Sequence, residues 1–258
     1  MRVVRSLGRR SHLALTAGLV VGTFLLWYYL TASETVHKVV LPPIGEVRTS
    51  FAEIVQRDSF MNHLRVTATE VLAGFALGSA SAILVALICV RYPGVKRLMT
   101  PYMVALQALP KVVLLPLLYI WFGVGYRATT VMVILVVFFP VYLNTLTGLT
   151  IADPDGARLL RSLGASSRQR FRYHQLPSAL PLIFTGLKTA VNFAVAAALA
   201  AELLGARYGL GFLIGNSGNF LRIPELYATV VAAGLFAGIV YLVFEFLDRK
   251  LIFWRPRE

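Results

Sequence analysis

Five ionisable side chains, Glu70, Lys111, Lys188, Glu202 and Glu245, stand inside otherwise apolar stretches of this 258-residue chain. A charge in such a setting is costly, and it is kept for a substrate path or for pairing with an opposite charge. Gln107 lies one helical turn before Lys111, and Asn192 lies one turn after Lys188 on the same face. Gln107, Lys111, Lys188 and Asn192 can present donors to a polar heterocycle or an anion, and with Glu70 they make a candidate translocation path. Pairing of a lysine with Glu70 or Glu202 is the alternative use of the same groups. Glu202 and Glu245 stand close to the ends of their stretches and are expected at an interface. Other chemistries lack their residues. Gly186-Leu187-Lys188-Thr189 misses the spacing of a phosphate-binding loop, whose glycine directly precedes the lysine and follows another glycine by five positions. Gly209, Gly211 and Gly215 likewise miss the dinucleotide spacing. The single cysteine, Cys89, excludes an internal disulfide and any cysteine-based metal site, and His12, His37, His63 and His174 have no ligand-like spacing.

The elements that must position these groups follow from composition. Hydrophobic residues make up 57% of the chain and charged residues 14%, with a mean hydropathy of +0.71. A soluble domain carries about 25% charged residues, so this composition cannot dress a water-exposed surface. Six apolar stretches, 13–30, 66–90, 98–122, 128–149, 180–204 and 226–247, are each long enough to cross a hydrocarbon layer about 30 Å thick as a helix. Only the five groups named above are charged within them. A charge at mid-bilayer costs roughly 2.5 to 3.5 kcal/mol on insertion scales, which accounts for that exclusion. The first stretch follows Arg2, Arg5, Arg9 and Arg10, ends in Trp27, Tyr28 and Tyr29, and lacks a small-x-small cleavage site, so it reads as a retained span. Lys111 is expected near mid-depth in the third stretch, and Pro101, Pro110 and Pro116 are expected to break or kink it.

Charge sets the expected orientation. With the N-terminus inside, the inner segments carry 16 lysines and arginines and the outer ones seven, which predicts both termini in the cytoplasm. The net charge of +13 is then explained by topology and anionic lipid, with no need for nucleic acid. Between the first two stretches, Val47, Phe51, Ile54 and Val55 recur at helical spacing and predict an amphipathic helix on the outer interface. Gly74 with Gly78, Gly234 with Gly238, and the alanines between 194 and 201 mark faces where helices pack closely.

The segment 151–178 is the most informative loop. Asp153 can cap a short helix with Pro154 at its first position, and Gly164 can end it. Ser166 or Ser167 can then start a second helix through Arg168, Arg170, Phe171 and Arg172, expected to stop before Leu176-Pro177. Such a capped, basic elbow suits docking into another protein.

At this loop the chain resembles the permease subunits of bacterial ABC importers. Their signature reads Glu-Ala-Ala, three residues, Gly, nine residues, Ile, one residue, Leu-Pro. Gly164 and Leu176-Pro177 match that spacing, while Arg158, Leu159 and Leu160 replace Glu-Ala-Ala and His174 replaces Ile. Further resembling segments are PLLYIWFG at 116–123, FPVYLNT at 139–145, LGAS at 163–166, LPSALP at 176–181, FTGLK at 184–188 and GLGFL at 209–213. Within that superfamily the chain looks closest to the importers of nitrate, sulfonates, taurine and vitamin precursors. Sulfonate-type members tend to carry arginine where Glu70 stands. Glu70, Gln107 with Pro110-Lys111, and Gly186-Leu187-Lys188 are more similar to permeases for riboflavin and thiamine pyrimidine precursors.

The resemblance implies an all-α integral membrane protein with six transmembrane helices and the type I importer permease fold. It places a single permease domain at 13–254 between short tails at 1–12 and 255–258. It implies a non-enzymatic transport subunit in a bacterial inner membrane. Its partners would be a second copy of this chain, two ATP-binding cassette subunits, an extracytoplasmic binding protein and membrane lipid. ATP and magnesium would be bound by the cassette subunit, with no cofactor held in this chain. The grip on that subunit would fall on Asp153, Ala157, Arg158, Leu160, Arg161, Leu163, Gly164, Leu176 and Pro177, with Ala157, Leu160 and Leu163 filling a groove while Arg158 and Arg161 meet carboxylates. An ion-driven secondary transporter would want coupling carboxylates at mid-membrane and has no use for the elbow. A membrane enzyme would need a paired-carboxylate, metal or nucleophile-base arrangement.

Overall fold

A computed structural model describes residues 9–33, 35–151 and 154–251, and among them every regular element is helical. The apolar stretches become α1 (Arg9–Ala32), α3 (Asp58–Arg91), α6 (Tyr126–Thr150), α9 (Leu176–Gly205) and α11 (Ile223–Leu251). The third stretch becomes the pair α4 (Pro93–Ala108) and α5 (Leu115–Phe122), joined through a 3-10 turn at Lys111–Leu114 and bent by 88°. Five helices are thus long and apolar enough to cross a membrane, or six when the bent pair counts as one span.

The core lies where α3, α6 and α9 meet. Val71, Phe75, Met132, Val133, Val137, Tyr142, Ala190, Val191, Ala194 and Ala198 are buried there together. Gly74 sets the closest approach of α3 to α6, because a Cβ on it would sit 2.5 Å from Val133 Cβ. Gly78 does the same one turn later, against the Ile134 carbonyl at 3.0 Å. The second expected pair behaves differently: nothing lies within 4 Å of a Cβ on Gly234 or Gly238.

The remaining short helices are α2 (Ile44–Gln56), α7 (Pro154–Ser162), α8 (Ser167–Arg170) and α10 (Leu210–Asn219). The amphipathic helix expected between the first two spans is α2, but its apolar face is covered by protein. Val47 and Ile54 are buried with Phe60, Leu210, Ala228 and Ala232, so the helix packs on α11 and the start of α3, and only Val55 of the four patterned residues is left exposed. The apolar stripe meets the apolar flank of α11, and burying it there removes the same area from water as an interface would. α1 touches the rest through Trp27, whose indole donates to the Pro42 carbonyl at 2.9 Å and packs on Tyr227.

The break in the third span has a local cause. Pro110 has no N–H and forces Leu109 out of the helical region, to φ −69 and ψ 130. α4 therefore ends at Ala108 and leaves carbonyls unpaired. The Lys111 ammonium bends back to donate to one of them, Gln107 O, at 2.8 Å. Pro116 sits in the first turn of α5, where a missing N–H costs nothing.

Candidate functional site

Three clusters carry the polar chemistry, and the first is the elbow between α6 and α9. α7 ends in a Schellman arrangement: Ala165 N–H donates to Leu160 O at 2.9 Å and Gly164 N–H to Arg161 O at 3.0 Å, with Gly164 at φ +77. Ser166 then caps α8 through a capping box with Gln169. Asp153, expected as the cap of α7, lies outside the described residues. α8 does not stop before Leu176-Pro177 as expected; the chain continues through a π-helical turn at Phe171–Gln175 directly into α9. Leu176 N–H bonds five residues back to Phe171 O, so the register widens where Pro177 cannot donate. The second arm of the elbow is thereby rigidly continuous with a span.

The exposed face of α7 also differs from the expected one. Leu159 and Leu163, one turn apart, are 61% and 74% exposed. Ala157 and Leu160 are half-buried, and Ala157 lines a cavity of about 780 Å³ with Arg91, Leu149, Phe171 and His174. Arg158 is exposed and pairs with Asp155 at 3.0 Å on its own helix, while Arg161 stays exposed. Two leucines flanked by arginines form an outward amphipathic face, which suits a partner groove rimmed with carboxylates.

The second cluster holds the two buried-stretch lysines, which the structure keeps apart. Lys111 donates to Gln107 O and lies over the Phe139 ring, 4.7 Å from its centroid. The Gln107 side chain is exposed, so the pair meets through the backbone. Lys188 pairs with Glu245 and with Asp248 of α11, and Glu245 also accepts from Arg249 at 2.9 Å. The lysines therefore find partners other than the two carboxylates, Glu70 and Glu202, offered as pairing candidates. Asn192 is exposed one turn along from Lys188.

The third cluster is the one sequence reasoning missed. Gly209, Leu210 and Gly211 begin α10, where a helix leaves its first N–H groups without intrahelical acceptors. Side chains of two other helices take up all three: His63 Nδ1 accepts from Gly209 at 3.0 Å, Thr67 Oγ1 from Leu210 at 2.9 Å, and Glu202 Oε2 from Gly211 at 2.7 Å. The Thr67 hydroxyl donates in turn to Glu202 Oε1 at 2.6 Å. Both glycines are required. Gly209 adopts φ +118, and a Cβ on it would run into the Glu202 carboxylate, as one on Gly211 would into the Leu199 carbonyl.

Glu202 is only 1% exposed, which corrects its expected place at an interface. A carboxylate near a span end can be drawn inward when backbone donors wait for it, and here the α10 terminus supplies them. Glu70 is fully buried in the same cluster, one turn along α3 from the Thr67 hydroxyl that bonds Glu202. The Thr129 hydroxyl donates to Gly125 O at 3.2 Å, and neither Glu70 oxygen has a hydrogen-bond partner. Tyr119 of α5 closes the wall by donating to Ala201 O at 2.6 Å. The signal that could have found this cluster is the spacing of His63, Thr67 and Glu70, positions i, i+4 and i+7 on one face of α3.

Comparison with known proteins gives a consistent result. A family model for the inner membrane component of binding-protein-dependent transport systems matches residues 74–253. The taurine transport system permease protein TauC of Escherichia coli (strain K12) is 28% identical over 93% of this chain and 89% of its own length. The formylaminopyrimidine transport permease protein ThiX of Halalkalibacterium halodurans is 31% identical over 77% of this chain and 80% of its own. Among solved structures, an inward-facing MetNI methionine ABC transporter matches with a TM-score of 0.64 at 17% identity, over 74% of this chain and 94% of that one. That likeness concerns the fold.

Proposed function

Since the chain belongs to the inner membrane component family of binding-protein-dependent transport systems, we propose that it forms the substrate path of an ATP-driven importer. It is an ABC importer permease of the sulfonate, taurine, thiamine precursor and riboflavin group. Its cargo is a small polar nutrient, read as riboflavin or a thiamine pyrimidine precursor. That reading rests on Glu70, Gln107 and Lys111 and on the likeness to the formylaminopyrimidine permease. A sulfonate or taurine cargo is the competing outcome, favoured by the long alignment with the taurine permease.

The observation that carries the transport reading is the elbow. α7 is capped at its end, α8 beyond it runs through a π turn into α9, and Leu159 and Leu163 are exposed beside Arg158 and Arg161. A partner seated on it pushes directly on a membrane span. Hydrolysis of ATP with magnesium is assigned to that partner, an ATP-binding cassette subunit present in two copies, and this chain is a transport subunit without catalytic work. Residues 13–254 act as a single permease domain, paired with a second copy, and both termini face the cytoplasm. An extracytoplasmic binding protein delivers the cargo on the opposite side, beside α2 and α10.

The test is reconstitution of the chain with its cassette subunit and binding protein in proteoliposomes. ATP-dependent uptake of riboflavin or a formylaminopyrimidine is expected, with no uptake of taurine. Uptake driven by an ion gradient without ATP would overturn the reading, and taurine uptake would redirect its substrate.

A further inference from the structure

Glu70 lies one turn along α3 from Thr67, whose hydroxyl donates to Glu202 Oε1 at 2.6 Å, so two carboxyl groups, 0% and 1% exposed, share one buried cluster of the helical bundle. Among the described residues neither forms an ion pair with a lysine, arginine or histidine. Two adjacent carboxylates cannot both stay ionised in such a place, since burial penalises each charge and each charge repels the other. Hydrogen-bond counting says which one is neutral. Glu202 accepts from the Thr67 hydroxyl and from Gly211 N–H, one bond on each oxygen, as a carboxylate does. Neither Glu70 oxygen has a hydrogen-bond partner, although the residue is fully buried. A buried polar group without a partner marks something the protein atoms alone do not supply.

We propose that Glu70 and Glu202 form a one-proton binding site, with the carboxylic acid of Glu70 donating its hydrogen bond to the carboxylate of Glu202. The proton gives one of the two orphaned Glu70 oxygens a hydrogen bond, leaves one net charge in place of two, and lets Glu202 keep its grip on α10. The groups facing the pair are consistent with that charge state. His63 on α3 accepts from Gly209 through Nδ1, which requires that nitrogen to be unprotonated. From α5 comes the neutral Tyr119 hydroxyl, and from α6 the Thr129 hydroxyl. Raising the pH until the proton leaves sets two anions against each other across α3 and α9, and α10 loses its anchor. The bound proton thus acts as a latch on the Gly209–Gly211 turn. His63 responds on the opposite side of the scale, because protonating its Nδ1 in acid would break the Gly209 bond.

The latch does not depend on what the chain carries. Infrared spectroscopy of the full-length chain in lipid nanodiscs tests it directly, through the carbonyl stretch of a buried, protonated carboxylic acid. The band is expected at neutral pH in the unaltered chain and lost in Glu70→Gln. It is also expected to be lost in Glu202→Gln, whose amide can donate to an ionised Glu70. The thermal midpoint of the unaltered chain should fall as pH rises, whereas that of Glu70→Gln should stay level over the same range. Absence of the band, or its persistence in both variants, would overturn the proposal. So would a midpoint raised by sodium or potassium without an acid band, which would put a metal cation in place of the proton.

Discussion

Glu202 Oε2 accepts the backbone N–H of Gly211 at 2.7 Å, so a carboxylate on α9 caps the first turn of α10 nine residues along the chain. Thr67 and His63 on α3 complete the same turn, and the three bonds tie α3, α9 and α10 into one unit. A loop that would otherwise be free to move becomes an extension of the core. Its stability therefore hangs on a few side chains.

Removing the acceptor should be costly. Glu202→Ala strands Gly211 N–H in a buried place at about 1–3 kcal/mol, while the Thr67 hydroxyl keeps the His63 carbonyl at 3.3 Å as an acceptor. Thermal unfolding in detergent should show a lowered midpoint, and hydrogen exchange should become faster at residues 209–211. An unchanged exchange rate there would mean that the cap contributes nothing.

Gly211→Ala approaches the same turn from the other side. Its added Cβ would collide with the Leu199 carbonyl, which is backbone and cannot rotate away. The loss expected for such overpacking is about 1–3 kcal/mol. Gly234→Ala is the matched control, since its Cβ meets open space; a glycine-to-alanine change within a helix there should be neutral or stabilising in the isolated chain.

Lys111 distinguishes structure from transport. Lys111→Met keeps the bulk of the side chain but strands the Gln107 carbonyl, at a cost of about 1–3 kcal/mol, and removes the contact with the Phe139 ring. The thermal midpoint should fall and Lys111→Arg should restore most of it. If the midpoint holds while the Michaelis constant for the cargo rises, the ammonium serves the cargo instead of the break.

Lys188 joins α9 to α11 through Glu245 and Asp248. Lys188→Ala leaves both acids facing each other, and Asp248→Asn in the same chain should recover part of the loss. A coupling energy on the order of 1–3 kcal/mol is expected from the double-mutant cycle, as for hydrogen bonds to charged groups. A coupling near zero would leave α11 held by its packing and by the Arg57–Glu225 and Tyr227–Val40 contacts at its other end.

The elbow gives a prediction on association. Gly164→Ala puts a Cβ on a residue at φ +77, a conformation that costs a non-glycine residue roughly 1–2 kcal/mol. Leu163→Arg replaces an exposed leucine without touching the cap. Both should reduce co-purification of the cassette subunit, the second with no change in thermal midpoint. Retention of the partner by Leu163→Arg would place the docking face elsewhere.

Much of the fold was written in local pattern. The six apolar stretches fall on α1, α3, the α4–α5 pair, α6, α9 and α11, because an unbroken run of about 20 apolar residues has one way to satisfy its backbone in a hydrocarbon layer. Pro110 broke the third span and Gly164 ended α7, since both act through their own backbone geometry. Partnership is another matter. Lys111, Lys188, Glu70 and Glu202 stand out in the sequence as charges among apolar residues, yet nothing local says whom each meets. Tertiary structure decided that Lys188 would face Asp248, that Lys111 would turn back on its own helix, and that Glu202 would be pulled from an expected interface into the core. The physical reason is that a buried charge takes whatever donor or counter-charge the packing brings within about 3 Å, and that choice depends on how helices far apart in the chain come together.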